Sequence, residues 1–230
     1  GAYGKILIEH KPKETIQILL KLCTEEGKSS RKSTMTLLPS PVDFINIFVH
    51  HPRSLLDFLE KFTAFKVKDI PEQVEIHNTL LELYLSHDLT FPTMSLYNSK
   101  GVAMPPAKSG NGKMSSNDDE KSHIERHEKG LRLLTSAWLS DMENPNYDVD
   151  LAIILCEMNG FRDGILFIYE KMKLYKEVIA SYMQAHDHEG LLACCKRLGD
   201  SGKGGDSSLW ADVLKYFGEN DRAMKPKTQL

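Results

Sequence analysis

The stretch "LCEMNGFRDGILFIYEKMKLYKEVIASYM", residues 155–183, decides the fold class of this chain. Its large apolar residues recur at intervals of three and four positions, the spacing that lines up side chains on one face of an α-helix. The two clearest sets are Ile165/Ile168/Tyr169/Met172 and Tyr175/Val178/Ile179/Tyr182. Because only short polar breaks separate these sets, the stretch predicts consecutive short helices.

The same spacing recurs along most of the chain, whereas the alternation typical of strands is absent. Further sets are Ile16/Leu19/Leu20/Cys23, Leu55/Phe58/Leu59/Phe62, Leu151/Ile154/Leu155/Met158, Leu191/Cys194/Cys195/Leu198 and Trp210/Val213/Leu214/Phe217, with looser matches at Tyr3/Ile6/Leu7, Phe44/Ile47/Phe48, Ile76/Leu80/Leu83 and Leu131/Leu134/Trp138. The pattern predicts an all-α protein of about eleven short helices.

Residues that commonly begin and end helices stand between these sets. Proline is tolerated in a first helical turn, glycine commonly ends a helix in a left-handed conformation, and Asp or Ser caps the N-terminus. The predicted first-turn prolines are Pro12, Pro52 and Pro71, the C-terminal glycines are Gly160 and Gly199, and the N-caps are Asp148, Asp187 and Ser207.

The connections in the second half of the chain have only a few residues, so consecutive helices there are expected to form antiparallel hairpins. Equivalent apolar sets start at Leu151 and Tyr175, and again at Ile165 and Leu191. These steps of about 24 and 26 residues favour an α-solenoid of stacked helical hairpins. A globular helical domain of irregular topology is the alternative.

One long segment interrupts the helical pattern. Residues 87–127 are rich in Ser, Gly, Asn, Lys and Pro, a composition typical of disorder. We therefore predict four regions: 1–87 as the first part of the solenoid, 88–127 as a flexible insertion, 128–218 as the second part, and 219–230 as a disordered tail. Residues 24–41 are expected to form a second, shorter surface excursion.

Composition excludes several functional classes. Hydrophobic residues make up 41% of the chain, enough for a core, and no apolar run is long enough to span a membrane. The net charge of −3 argues against a general nucleic-acid partner. The four cysteines, Cys23, Cys156, Cys194 and Cys195, all lie in apolar sets, which indicates buried thiols in a reducing, cytoplasmic compartment.

No group of residues predicts a chemical site. The segment "GDSGKGGDSS", residues 199–208, lacks the spacing and the preceding strand of a phosphate-binding loop. His186, His188, Cys194 and Cys195 form the nearest approach to a metal cluster, but adjacent cysteines on a helix diverge by about 100°. We therefore expect no catalytic, cofactor-binding or metal-binding residue, no cofactor and no small-molecule substrate.

Apolar residues outside the regular sets are the remaining candidates for binding a partner. They are Phe161, Leu166, Phe167 and Leu174. Since a helix in a solenoid packs on two sides, these residues are expected to contribute first to packing between hairpins.

Long segments of the chain resemble the vacuolar sorting protein eleven family, and its plant members in particular. The resemblance runs from Tyr147 to Glu219 and includes "YGKILIEHKPKETIQILLKLC", "FINIFVHHPRSLLDFLEKF" and "IHNTLLELYL" in the first half. It implies a clathrin-heavy-chain-repeat solenoid. After Glu219 the sequence "NDRAMKPKTQL" departs from the family pattern.

The resemblance also implies a role in a core subunit of the HOPS and CORVET complexes, which tether endosomal and vacuolar or lysosomal membranes. The implied partners are the other core subunits and, indirectly, Rab GTPases and SNAREs. The implied location is cytoplasmic, peripheral on late endosomal and vacuolar membranes. The family's β-propeller and zinc-binding RING domain have no counterpart among these residues, so zinc binding and ubiquitin transfer are not carried over.

Three functional hypotheses follow. The first is a non-catalytic scaffold segment of a vesicle-tethering complex. The second is a helical-repeat module that binds RNA or unrelated proteins, which would need a basic concave surface for RNA. The third is an enzyme whose site is assembled from distant helices, which sequence alone cannot show.

Overall fold

The computed structural model describes residues 2–24, 39–65, 72–86, 89, 117–138, 145–200, 202 and 204–224. Within these ranges every regular element is helical, which confirms the predicted all-α class. The helices are α1 Ala2–His10, α2 Pro12–Cys23, α3 Val42–Ile45 with a 3-10 turn at Asn46–Phe48, α4 Pro52–Ala64, α5 Gln73–Leu85, α6 Asn117–Ala137, α7 Val149–Met158, α8 Arg162–Lys171, α9 Tyr175–Gln184, α10 His188–Leu198 and α11 Leu209–Met224.

The chain divides into two compact units, Gly1–Gly164 and Ile165–Leu230. In the first unit α1 packs on α2, α2 on α4, α4 on α5, and α5 on both α6 and α7. Its largest core cluster is built around Phe48, Phe58, Leu59 and Phe62, none more than 2% exposed. The predicted sets in α2, α4 and α5 are all buried, so their helical faces are confirmed.

In the second unit α9, α10 and α11 pack against one another. The set Leu191/Cys194/Cys195/Leu198 of α10 is entirely buried, as predicted. Val178 and Ile179 of α9 join the same cluster, and the rings of Tyr175 and Tyr182 pack against it. The core of this unit therefore follows the apolar spacing of the sequence.

Four predicted sets have the wrong face or an incomplete one. In the set Ile165/Ile168/Tyr169/Met172, Met172 follows the end of α8 and is exposed. In α1, Tyr3, Ile6 and Leu7 are exposed and Ile8 is buried instead. In α7, Leu155 is buried as expected, but Ile154 and Met158 are exposed, and Ala152 and Cys156 take the inward positions. In α11, Leu214 is exposed, whereas the unpredicted Leu209 is fully buried.

Two helices extend beyond the predicted boundaries. Helix α6 begins at Asn117, well inside the segment predicted as insertion up to residue 127. Helix α11 continues to Met224, past the predicted end of the second part at residue 218. The other parts of the predicted insertion, except Leu89, and of the tail lie outside the described residues, as do residues 25–38 of the shorter excursion.

Helices α7 to α10 follow a constant step along the chain. Their first residues, at positions 149, 162, 175 and 188, are equally spaced. The hairpin step from 149 to 175 therefore equals the step from 162 to 188, and the shorter predicted step, from Leu151 to Tyr175, is wrong. The difference arises because Leu151, the first apolar residue of the predicted set, lies two positions inside α7.

The turns between these helices repeat with the same spacing. Gly160, Lys173 and His186 have φ angles of 64°, 59° and 53°, the left-handed conformation that ends many helices. In each case the following N–H donates to a carbonyl five residues back: Phe161 to Cys156 at 2.8 Å, Leu174 to Tyr169 at 2.8 Å and Asp187 to Tyr182 at 3.1 Å. Each turn thus satisfies a carbonyl that the helix end would leave without a partner.

Some of the predicted helix-terminal residues are confirmed. Pro12 and Pro52 lie in first turns, and Asp148 and Asp187 cap α7 and α10 by accepting hydrogen bonds from Leu151 and Gly190 N–H. Gly199 has φ −86°, so it is not left-handed as predicted. Pro71 lies outside the described residues, and the position predicted as a cap, Ser207, lies two residues before α11.

Two glycines separated by one hairpin step allow close packing. A methyl group on Gly164 would lie 2.8 Å from Cys156 Sγ and 2.6 Å from the Phe161 ring. One on Gly190 would lie 2.6 Å from the Tyr182 ring. Because these distances are shorter than van der Waals contact, a side chain at either position would push the helix start away from the preceding helix.

Replacing Gly164 with alanine should destabilise the protein by about 1–3 kcal/mol, the usual cost of overpacking. The sign is informative, because alanine in place of a helical glycine is normally stabilising by about 1 kcal/mol. Gly218 of α11 is the matched control, since a methyl group added there would meet no atom within 4 Å. Urea melts of Gly164→Ala and Gly218→Ala should shift in opposite directions; two stabilising shifts would contradict the packing of α8 on Cys156.

Candidate interaction surfaces

A cleft of about 450 Å³ lies between α4, α5 and α6. Its lining residues are Glu60, Thr63, His77, Leu80, Tyr84, Lys129, Arg132, Leu133 and Ser136. Glu60 Oε1 accepts hydrogen bonds from Tyr84 Oη at 3.1 Å and from Lys129 Nζ at 3.0 Å. Burial, together with the charge of Glu60, raises the pKa of Tyr84, so its phenol stays protonated and continues to donate.

Further hydrogen bonds of α5 fix both neighbouring segments. Arg126 of α6 donates to the Ser86 carbonyl at 2.9 Å, just after the end of α5. His77 Nδ1 donates to the Asn146 carbonyl at 2.8 Å, and the Asp148 N–H donates to Asn78 Oδ1 at 2.9 Å. Burial lowers the pKa of His77, which favours the neutral ring. Hydrogen bonds from α5 and from Ser86 just after it therefore connect this helix to α6 and to the segment that begins α7.

The histidines and cysteines nearest to a metal-cluster pattern lie in different environments. Cys194 and Cys195 are buried in the second core, and burial raises the pKa of both thiols. His186 and His188 are exposed, with His186 Nδ1 3.1 Å from Tyr216 Oη and the His188 ring 5.3 Å from the Phe217 ring. Among the described residues no three His, Cys, Asp or Glu side chains are arranged to hold a metal ion.

The other two cysteines are also buried and free. Burial raises the pKa of Cys23 and of Cys156 to about 12, so both thiols are protonated at neutral pH. A thiol in this form is a poor nucleophile and a poor metal ligand. All four cysteines therefore act as small core residues, in agreement with their positions in the apolar sets.

In the loop between α10 and α11, acidic side chains of the loop accept hydrogen bonds from its backbone N–H groups. Asp200 Oδ1 accepts the Gly202 N–H at 3.0 Å, and Asp206 Oδ1 accepts the Ser208 N–H at 2.9 Å. A phosphate-binding loop needs such N–H groups directed at the ligand and a preceding strand. Here two of them already bind carboxylates, and a helix precedes the loop.

The apolar residues outside the regular sets divide between core and surface. Phe161 is buried and its ring lies 4.8 Å from that of His127, while Leu166 packs against the second core. Phe167 is partly buried, with Lys171 Nζ 5.6 Å above its ring, and Leu174 is 38% exposed. Core packing is thus confirmed for Phe161 and Leu166, and Leu174 is a surface residue.

The surface carries other exposed apolar side chains that the apolar spacing predicts as core. We define the α1 face as Tyr3, Ile6 and Leu7, which are 85%, 54% and 47% exposed. Helix α2, which packs on α1, also exposes Ile18 and Leu22. The amphipathic spacing of α1 is visible in the sequence. The sequence does not show that Ile8 is the apolar residue of α1 that is buried.

Electrostatic contacts between helices also occur in the second unit. Arg197 of α10 donates to Glu170 of α8, and this hydrogen bond raises the pKa of Arg197 above its ordinary value. This charged pair therefore joins two helices, as Glu60 and Lys129 do in the first unit. No helix in the described part of the chain combines the length and the apolar composition that crossing a membrane requires.

Comparisons with known proteins all point to one family. The family described as PEP5/VPS11 clathrin repeat matches residues 1–96 and 112–229. The chain is similar to the vacuolar protein-sorting-associated protein 11 homologs of Arabidopsis thaliana (61% identity over 94% of the chain and 24% of the relative), Mus musculus (32%, 97% and 20%) and Dictyostelium discoideum (27%, 95% and 24%). No solved structure matches significantly.

These matches confirm the resemblance and the clathrin-repeat fold class inferred from the sequence. The chain spans about a quarter or less of the length of the curated relatives it matches. The equally spaced helices α7 to α10 lie within the second matched range.

Proposed function

This chain belongs to the PEP5/VPS11 clathrin-repeat family, and from that premise we propose that it is a non-catalytic scaffold segment of a vesicle-tethering complex. The complex is of the HOPS and CORVET type, acting between endosomes and the vacuole or lysosome. The observation that carries the proposal is the match of the family over residues 1–96 and 112–229. The relatives are named as vacuolar sorting proteins, which supports a role in the same transport process.

The hydrogen bonds of polar side chains among the described residues support a scaffold role. Polar groups that could form a site are engaged in holding helices together or in capping them, as Glu60, His77 and Asp187 illustrate. The repeated left-handed turns and the equal spacing of α7 to α10 indicate one repeating helical unit. Repeats of this kind present side chains at regular intervals, which suits the positioning of partner subunits.

The proposed partners are the other core subunits of the complex, with Rab GTPases and SNAREs reached indirectly through them. Membrane association is then peripheral and acquired through the complex, at late endosomal and vacuolar membranes. The net charge of −3 is compatible with protein partners and gives no support to RNA as the ligand.

A pull-down with three baits tests the proposal: the 230-residue chain, a full-length family member, and the full-length protein lacking this segment. We expect the chain to retain at least one other core subunit, and its deletion to weaken capture by the full-length protein. If the chain captures none while the deleted protein captures all of them normally, the contacts lie elsewhere and the proposal is wrong.

A further inference from the structure

The turn between α8 and α9 exposes basic and apolar side chains in alternation. We define the lysine turn as Lys171, Met172, Lys173, Leu174 and Lys176, all of which are exposed. The two apolar side chains, Met172 and Leu174, are 42% and 38% exposed. In the described part of the chain no carboxylate lies within ion-pair distance of the three lysines. A basic surface and an apolar surface therefore coincide at one turn of the second unit.

The backbone holds the lysine turn in one shape. Lys173 has the left-handed φ of 59°. Its N–H donates to the Glu170 carbonyl at 3.1 Å, and the Leu174 N–H donates to the Tyr169 carbonyl at 2.8 Å. A partner that binds this turn thus meets a backbone that is already ordered, which lowers the entropic cost of binding.

The acidic residues that adjoin the lysine turn do not neutralise it. Glu170 accepts a hydrogen bond from Arg197 of α10, so its charge is already paired. Glu177 follows Lys176 in the chain and is exposed. Asp206 accepts a hydrogen bond within its own loop and interacts electrostatically with Lys176. Because three lysines stand against the carboxylates of Glu177 and Asp206, the turn keeps an excess of positive charge.

The combination of charge and apolar exposure limits the chemistry of the partner. A nucleic acid or an acidic protein segment accounts for the lysines but leaves the exposed apolar side chains without a role. An anionic bilayer accounts for both, because lysines are attracted to anionic headgroups and apolar side chains enter the boundary of the acyl chains. The flexible stem of a lysine lets its charge stay at the headgroups while its neighbours go deeper.

We propose that the lysine turn binds the surface of an anionic bilayer directly. The three lysines then lie at the lipid headgroups, and Met172 and Leu174 lie at the acyl boundary. Each lysine near an anionic surface strengthens binding about fivefold, so the turn provides a weak contact that adds to any anchoring by other subunits. This inference goes beyond the proposed function, which assigns membrane association to the complex, and it does not depend on the tethering role.

Flotation of the 230-residue chain with vesicles tests the charge of the turn. We expect binding to vesicles of mixed phosphatidylcholine and phosphatidylserine, weaker binding at high salt, and none to phosphatidylcholine alone. Replacing all three lysines of the turn with glutamine should weaken binding at least about tenfold. The matched control replaces three exposed lysines outside the turn, Lys11, Lys13 and Lys215, with glutamine. It changes the net charge equally and should stay within about twofold of the unmodified chain.

A fluorescent label tests the insertion of the apolar side chains. Leu174→Cys carries an environment-sensitive fluorophore on the turn, and Leu214→Cys is the matched control, since Leu214 is an exposed leucine in the middle of α11. The four native thiols are at most 4% exposed, so background labelling is slow. Vesicles with phosphatidylserine should raise the emission of the label at position 174 at least about twofold and leave that at position 214 unchanged.

Several outcomes overturn the proposal. One is a chain that does not bind the anionic vesicles, and another is a lysine-turn variant that binds them as well as the control variant does. Equal responses of the two labels would exclude insertion of this turn. Binding to soluble polyglutamate without binding to vesicles would identify an acidic protein segment as the partner. Neither experiment contains partner subunits, so failure here is separable from failure of the pull-down that tests the tethering role.

Discussion

Replacing Phe58 with alanine should lower the free energy of unfolding of the first unit by about 3–5 kcal/mol, the range for a large aromatic side chain removed from a core. Phe58 is 0% exposed in the middle of α4. Its ring stacks on that of Phe48, with centroids 5.3 Å apart and planes inclined by 19°. The substitution removes both the buried area and this ring contact, and it leaves a cavity that the surrounding residues of the cluster cannot fill by small movements.

Phe65 is the matched control because it is the same residue type at the end of the same helix and is 49% exposed. Phe65→Ala should cost less than about 1 kcal/mol. Denaturant unfolding followed by the helical circular dichroism signal measures both variants. Similar losses for Phe58→Ala and Phe65→Ala would show that the first core is not centred on α4.

The core positions that sequence predicts correctly lie in helices with one strongly apolar face. In α4, Leu55, Phe58, Leu59 and Phe62 share one face, and Leu56 is the single large apolar residue of the helix outside that set, so only one helical phase buries the whole set. In α10, Leu192 is likewise the single large apolar residue outside the set Leu191, Cys194, Cys195 and Leu198. For such helices the i, i+3, i+4, i+7 pattern contains enough information to define the inward face.

The pattern is insufficient where a helix is apolar on several sides. Helix α7, "VDLAIILCEM", has apolar residues at most of its positions, so more than one face satisfies the template. The buried face contains Ala152 and Cys156, whose small side chains carry little weight in a pattern of large residues. In α1 the same ambiguity leads to the wrong prediction for the α1 face. Tertiary packing, which a single sequence does not show, decides between such faces.

The start of α6 escapes prediction for the opposite reason. Among residues 121–127, the less exposed side chains are those of His123, Arg126 and His127, which give no apolar set. Composition therefore indicates disorder, although local helix signals are present. Glu125–Lys129 and Glu128–Arg132 are ion pairs at the i, i+4 spacing that stabilises helices. Counting such pairs moves the expected boundary closer to Asn117.

The turns show a similar limit. Gly160 is predicted as a left-handed residue because glycine is the usual choice, whereas Lys173 and His186 adopt the same conformation without glycine. Non-glycine residues in this conformation are uncommon, so residue type alone gives little signal for them. Gly160, Lys173 and His186 are equally spaced along the chain, and this spacing becomes a signal once the repeat is known. The register of the repeats is thus present in the sequence, but apolar sets alone do not reveal it.

Replacing Leu155 with alanine should destabilise the first unit by about 2–5 kcal/mol, because a buried leucine loses its packing and leaves a cavity. Leu155 is 2% exposed, and its neighbours on the inward face, Ala152 and Cys156, are fully buried. Ile154→Ala is the matched control: Ile154 is 46% exposed, and alanine is the better helix former, so the change should stay within about 1 kcal/mol. Urea melts of both variants distinguish the two possible faces of α7. A loss for Ile154→Ala as large as that for Leu155→Ala would mean that the face predicted from the apolar spacing, with Ile154 and Met158 inward, is the packed one. Helix α7 would then contact α5 through a different set of side chains.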